Sequence, residues 1–258
     1  MNNSTKRFSD RVEDYVKYRP HYPAAILPLL ATVYGFDAGW VVADIGSGTG
    51  ISTELFLGNG NRVYAVEPNR EMREKAETFL AGYPGFVSID GTAEATGLPE
   101  RLARLMVAGQ AFHWFDPVAT RREFARIAAP GAVVALVWNE RKTETAFEKE
   151  YETLILQYAG EYRTVKHRNI DDLQIDGFFA PAAVRLDRFA NEQLFDLAGL
   201  TGRLLSSSYT PKDNGEMLKA LAVLFDRHAR DGKVTVGYDT KLYTGVIRPQ
   251  PVDRRRSF

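Results

Sequence analysis

The run Asp44-Ile-Gly-Ser-Gly-Thr-Gly50 stands between a short apolar segment, WVVADI over residues 40–45, and an amphipathic one that opens STELFL. Glycines at 46, 48 and 50 allow a tight turn and let a ligand approach the backbone where a strand passes into a helix. Glu67 closes the next apolar run, RVYAVE, 17 residues after Gly50. A carboxylate there can accept hydrogen bonds from both hydroxyls of a ribose. Strand, glycine loop, helix and acid-tipped strand together predict a βαβ unit with a seat for a nucleoside.

The rest of the chain continues the alternation. Helical spacing covers residues 8–19 and 24–34, then 69–81, 118–127 and 143–158, and strand character covers 62–67, 85–89, 102–108 and 132–137. Because each parallel crossover needs a dozen or more residues, this pattern predicts an α/β chain with a parallel sheet and helices on both faces. Residues 160–177 are polar and poorly periodic, and an irregular insertion is expected there. Residues 183–195 and 233–247 read as a closing strand pair around helices at 197–205 and 216–229. The resulting expectation is an N-terminal helical lid segment over 1–39, a cofactor core over 40–139, and a helical cap with the closing strands over 140–258. The basic run Arg254, Arg255 and Arg256 is read as a solvated chain end.

Composition removes several chemistries. The 258 residues include no cysteine, so disulfide frameworks, Cys-containing zinc sites and thiol nucleophiles are excluded, and the four histidines show no metal-ligand spacing. No metal is expected. Thirty-three basic residues balance 33 acidic ones, which gives no broad phosphate-tracking surface and points away from nucleic acid. The most apolar N-terminal stretch, 24–36, is interrupted by Pro28 and too short to span a bilayer, and residues 1–10 are polar. A cytoplasmic protein, either monomer or homodimer, with a small-molecule partner and no membrane partner is expected.

Two cofactor classes share the loop-and-acid geometry. Dinucleotide enzymes carry GxGxxG, whereas enzymes using S-adenosylmethionine carry GxGxG after an acidic residue. Here positions 51 and 52 are Ile and Ser, so the second spelling fits. An NAD(P)-binding oxidoreductase and a non-catalytic nucleoside-binding module stay open as alternatives. A GxxxxGK phosphate loop is absent.

The runs VVADIGSGTGISTELFL, VYAVEPN, GTAEATGLP, AGQAFHWFDP and PGAVVALVWN resemble class I S-adenosylmethionine-dependent methyltransferases over residues 40–139. YVKYRPHYP, SSSYTP and ARDGKVTVGYDTKLYTG extend the resemblance to the branch of trans-aconitate methyltransferase-like, type 11 enzymes. That resemblance implies a Rossmann-like doubly wound, mostly parallel seven-stranded sheet with an antiparallel last strand and a helical cap. It implies S-adenosyl-L-methionine as cofactor. Asp44, Gly46, Ser47, Gly48, Thr49 and Gly50 would line the methionine part, Glu67 and Pro68 the ribose, Ala93 and Glu94 the adenine, and Gln110 and Ala111 the sulfonium. Tyr15 and Arg19 would close over the cofactor. Within strand four the family usually has an acidic residue, where this chain has Arg104.

In open α/β sheets ligands bind at the carboxyl ends of the strands. His113 and Trp114 after strand four, and Trp138 and Asn139 after strand five, are therefore expected to line an acceptor site, with Tyr18 and Tyr22 from the lid. Arg19 is also suited to clamp a carboxylate. His113 is a candidate general base for a hydroxyl or ring-carbon acceptor, or else a hydrogen-bonded packing residue; a carboxylate acceptor needs no base.

Overall fold

The computed structural model describes residues 18–160, 162, 172–207 and 209–247. Its strands are β1 (Val41–Ile45), β2 (Arg62–Val66), β3 (Phe86–Ile89), β4 (Ala103–Gly109), β5 (Ala128–Arg141), β6 (Arg185–Phe195) and β7 (Val234–Val246). They form one seven-stranded sheet in the order β3-β2-β1-β4-β5-β7-β6. The pairs β3/β2, β2/β1, β1/β4 and β4/β5 are parallel. Lys142 N–H donates to Gly237 at 2.8 Å and Ile247 N–H donates to Ala132 at 3.1 Å. Ten residues up one chain segment thus match ten residues down the other, the mark of antiparallel pairing, and β7 runs against β5.

The helices are α1 (Ile26–Tyr34), α2 (Ile51–Gly58), α3 (Arg70–Phe79), α4 (Pro117–Ile127), α5 (Ala146–Tyr158), α6 (Asp172–Phe179), α7 (Leu197–Leu205) and α8 (Gly215–His228). Their ends follow local chemistry. Asn69 accepts from Met72 N–H at the start of α3, and Asp116 accepts from Val118 and Ala119 with Pro117 in the first turn of α4. Thr145 and Glu148 form a reciprocal capping box on α5. Gly35 ends α1 at φ 70°, a left-handed conformation that suits glycine.

β1 is buried from Val42 through Ile45, as expected of a central parallel strand covered on both faces. In β4, Arg104 is exposed between buried neighbours, and its guanidinium carbon lies 3.9 Å from the centroid of the Trp40 ring. The arginine thus makes a cation–π contact with the residue that leads into β1.

Two sequence expectations are corrected. β5 was expected to end at residue 137, yet it runs from Ala128 to Arg141, because pairing with β7 continues through Lys142. The end of the expected irregular insertion is helix α6, closed by Ala180 N–H donating to Asp176. The helix expected over 8–19 falls outside the described residues except for its end, and so do Tyr15, most of 160–171 and the basic tail.

The chain divides into two compact units. Among the described residues, 24–137, 172–187 and 242–247 belong to one, here the sheet unit. Residues 18–23, 138–160, 162, 188–207 and 209–241 belong to the other, the helical unit. The helical unit has its own apolar core, including Phe147, Leu154 and Ile155 of α5, Leu200 and Leu204 of α7, and Leu221 and Phe225 of α8. No helix among the described residues is long and apolar enough to cross a membrane.

Candidate cofactor site

The register between β1 and β2 brings their carboxyl ends level, with Ile45 opposite Val66. The chain reverses its order here, since β2 lies on one side of β1 and β4 on the other. The glycine loop opens from this point. Gly46 and Ser47 both donate to the Val66 carbonyl, at 2.8 and 3.1 Å, and Gly50 donates to Ser47 at 2.9 Å. Gly46 and Gly50 have φ of 68° and 91°. A Cβ on Gly46 would lie 2.7 Å from that of Ala111, and one on Gly50 would lie 2.6 Å from Leu80 Cδ1. The loop is glycine for two reasons, backbone angle and lack of room.

Asp44 is fully buried in front of this loop. Its Oδ2 accepts from the hydroxyls of Ser52 and Thr53 in the first turn of α2, each at 2.6 Å. Its Oδ1 is buried with no hydrogen-bond partner, and so is the Thr49 hydroxyl. Burial pushes the Asp44 carboxyl up to about 6, with the two hydroxyls pulling the other way. Buried polar atoms in native folds are normally satisfied, so two bare ones in one glycine loop fit a site that a polar ligand completes.

Glu67 stands at the end of β2, 9% exposed. One carboxylate oxygen accepts from Asn69 N–H at 2.8 Å and the other from Gly48 N–H at 3.0 Å, which ties the acid directly to the glycine loop. Burial raises its carboxyl above the ordinary range, opposed by those two amides and by Arg73. Pro68 follows on the surface. Ser52, Thr53 and Arg73 are positioning residues that the motif reading passed over. The hydroxyls eight and nine residues after Asp44 were the available signal.

The segment carrying Ala93 and Glu94 is fastened from α4. The Glu123 carboxylate accepts from Thr96 N–H at 2.9 Å and from the Thr96 hydroxyl, and Arg126 donates both to Glu123 and to the Leu98 carbonyl at 2.8 Å. Burial would push Glu123 up, but Arg126 and Thr96 bring it below its ordinary value. Ala93 is buried, while Glu94 is half-buried and accepts from Asp116 N–H at 3.0 Å. After β4, Gln110 has φ 54° and its N–H donates to Val137 at 2.9 Å. Ala111 then packs against Gly46, and a single 3-10 turn carries Phe112, His113 and Trp114. His113 is half-buried, its ring 4.8 Å from that of Trp114, which is 38% exposed. The Phe115 ring also crowds Gly46, where a Cβ would lie 3.2 Å from it.

The structure therefore gathers Asp44 to Gly50, Glu67, Gln110, Ala111 and the His113 turn in the sheet unit. Tyr18, Arg19, Tyr22, Trp138 and Asn139 belong to the helical unit. Trp138, expected in a loop, sits inside β5 and is 1% exposed, because the strand continues past it. Asn139 donates to the Pro20 and His21 carbonyls and accepts from Asn191 and Thr240, so it fastens the segment at 20–21. Arg19 donates to the Ser206 carbonyl at 2.8 Å. The Tyr18 ring lies where a Cβ on Gly202 would have to be. Tyr22 is half-buried.

The family model described as a methyltransferase domain matches residues 43–136. An uncharacterised methyltransferase of Mycobacterium tuberculosis is 33% identical over 148 residues, 57% of this chain and 58% of that protein. An uncharacterised methyltransferase-like protein of Schizosaccharomyces pombe is 26% identical over 154 residues, 59% of each. The matches thus span less than two thirds of these relatives. Among solved structures, a putative type II methyltransferase from Anaeromyxobacter dehalogenans shares the fold with a TM-score of 0.67 at 22% identity, covering 90% of this chain and 99% of that one. A Haemonchus contortus phosphoethanolamine N-methyltransferase, solved with phosphomonomethylethanolamine and S-adenosylhomocysteine, aligns with a TM-score of 0.57 at 14% identity over 96% of this chain and 59% of that one.

Proposed function

We propose that this chain is a class I methyltransferase of the type 11 branch, and that it binds S-adenosylmethionine and methylates a small molecule. The acceptor atom is a carboxylate or hydroxyl oxygen or a ring carbon. The observation that carries the reading is the bare Oδ1 of buried Asp44 behind a loop whose next acid, Glu67, is hydrogen-bonded into it. In this reading Asp44 and the Thr49 hydroxyl meet the polar atoms of the methionine moiety. Glu67 accepts from the ribose hydroxyls, exchanging its Gly48 amide for them or keeping it. Ala93, Glu94, Gln110 and Ala111 take the adenine and sulfonium sides.

The cofactor supplies an electrophilic methyl group on a sulfonium. Transfer neutralises that charge, so the protein's part is to align the nucleophile and exclude water. His113 stands two residues after Ala111, in the 3-10 turn that follows β4, and would hold or accept a proton from a hydroxyl or carbon acid; an ionised carboxylate acceptor dispenses with it. Neutral overall charge supports a small-molecule partner over nucleic acid, and no membrane partner is proposed. The protein acts as a monomer or homodimer.

The test is release of S-adenosylhomocysteine from purified protein given S-adenosylmethionine and a panel of small organic acids, phenols and enolisable ketones. Turnover with one class, lost in Glu67→Ala, is expected. Saturable cofactor binding with no turnover across the panel would favour a non-catalytic nucleoside-binding module, and binding of NADH in place of S-adenosylmethionine would favour an oxidoreductase.

A further inference from the structure

The helical unit buries two arginines in and beside its apolar core. Arg141, at the end of β5, has a side chain 7% exposed, and Arg203, in the last turn of α7, is 8% exposed. Guanidinium groups do not shed their proton in proteins, so both are cations in a poorly polarisable setting. Such a charge is tolerated when an anion answers it.

The answers are unequal. Arg141 forms an ion pair with Glu152 through Nη2, which also donates to the Tyr162 hydroxyl at 3.1 Å, and its guanidinium carbon stands 4.6 Å from the Tyr151 ring centroid. Its other terminal nitrogen, Nη1, is buried and has no hydrogen-bond partner. Arg203 donates from Nε to the Tyr238 hydroxyl at 3.1 Å and from Nη1 to Ser207 Oγ at 3.0 Å. Both partners are neutral, and the Tyr238 hydroxyl is itself engaged with Gln193 at 3.0 Å. No carboxylate among the described residues pairs with Arg203, and the partial charge at the end of α7 lies on its own helix.

The two cations share one neighbourhood. Tyr151 and Tyr209 both feel Arg141 and Arg203, and the Tyr209 ring is 4.6 Å from that of Tyr162. Burial pushes the Tyr209 phenol up, yet Arg141 first and Arg203 next pull it below its ordinary value. Ser207, which accepts from Arg203, stands two residues before Tyr209, and Tyr162, which accepts from Arg141, lies against the Tyr209 ring. A purely structural cluster gains little from this composition, since apolar residues of similar volume replace buried charges at no loss of stability.

We infer that the helical unit holds a binding site for an oxyanion, a carboxylate or phosphate group of a small ligand, received by Arg141 Nη1 and the Arg203 guanidinium with Tyr209 beside them. Planar guanidinium donors match such groups in geometry as well as charge. The inference stands apart from the methyl-transfer reading, which is tested at Glu67 in the other unit.

The test is thermal denaturation of the full chain in titrations of inorganic phosphate and, separately, glutarate, at constant ionic strength in chloride, with glutaramide as the uncharged control. A saturable rise in Tm with phosphate or glutarate but not glutaramide is expected, and the probe that saturates tells phosphate from carboxylate. In Arg203→Met the anion-dependent rise is expected to disappear while the anion-free Tm is kept or raised. In Arg203→Lys, which keeps the charge without the fork, half-saturation is expected to need at least tenfold more anion. No saturable rise in the wild type, or an equal rise in Arg203→Met, overturns the inference. A lowered anion-free Tm in Arg203→Met with the wild-type response intact in Arg203→Lys overturns it too, because it assigns the arginine a structural role.

Discussion

Asp44→Asn separates the charge of the buried acid from its shape. In the folded chain burial lifts the carboxyl from its ordinary 3.8 to about 6. Folding therefore takes up a proton between those values. The stability this group contributes is full below about 3.8 and is lost as pH rises through about 6. A displacement of that size is worth roughly 3 kcal/mol at neutral pH, of which about 2 kcal/mol develops between pH 4.5 and 7.5. Asparagine has no such dependence, but its amide meets the position of Oδ1, where nothing accepts from it, at a cost of about 1–3 kcal/mol at every pH. The variant is thus expected to be no more stable than wild type at pH 4.5 and to gain about 2 kcal/mol on it by pH 7.5. Urea denaturation of both proteins at three pH values in this range measures the difference. A difference that stays flat within about 0.5 kcal/mol, or falls with pH, refutes the argument that Asp44 is ionised against its burial.

Other consequences follow from the same contacts. Gly50→Ala places a Cβ at φ 91° and 2.6 Å from Leu80 Cδ1, and is expected to cost about 1–3 kcal/mol, whereas Gly58→Ala, with open space around it, is expected to be neutral or slightly stabilising; chemical denaturation of the pair checks the contrast. Glu123→Ala leaves Thr96 N–H without its acceptor and should cost about 1–3 kcal/mol near neutrality. Because the Glu123 carboxyl sits below its ordinary 4.5, its contribution is present above that value and lost as pH falls through the folded value, so the cost of the variant should shrink in acid. Alkaline titration at 295 nm should show a phenol ionising below the ordinary 10 in the wild type, absent from Tyr209→Phe.

The parts of the fold that repeat a local pattern were readable from the chain. β1, the glycine loop, α2 and β2 follow from periodicity and turn chemistry within about thirty residues, and each lies within a residue or two of its expected place. The closing pair β6 and β7 was also legible, but its pairing with β5 was not. β5 reaches Arg141 because β7, about a hundred residues later, pairs with it, and Trp138 moved from an expected loop into the core for that reason. Side-chain roles divide along the same line. Asp44 and Glu67 could be singled out because motif spacing marks them, while Glu123, Arg126, Ser52 and Thr53 act through contacts that no short pattern marks. Asn139, expected to line an acceptor site, holds the carbonyls of Pro20 and His21, a bond between residues more than a hundred apart in sequence that no pattern marks.

The central claim is that the loop from Asp44 to Gly50, with Glu67, seats S-adenosylmethionine. Isothermal titration calorimetry of the wild type and Glu67→Ala with S-adenosylmethionine, with NADH as comparison, tests it most directly. Saturable binding of S-adenosylmethionine, at least tenfold weaker in the variant and absent for NADH, is the predicted result; binding that the variant leaves unchanged, or a preference for NADH, would contradict it.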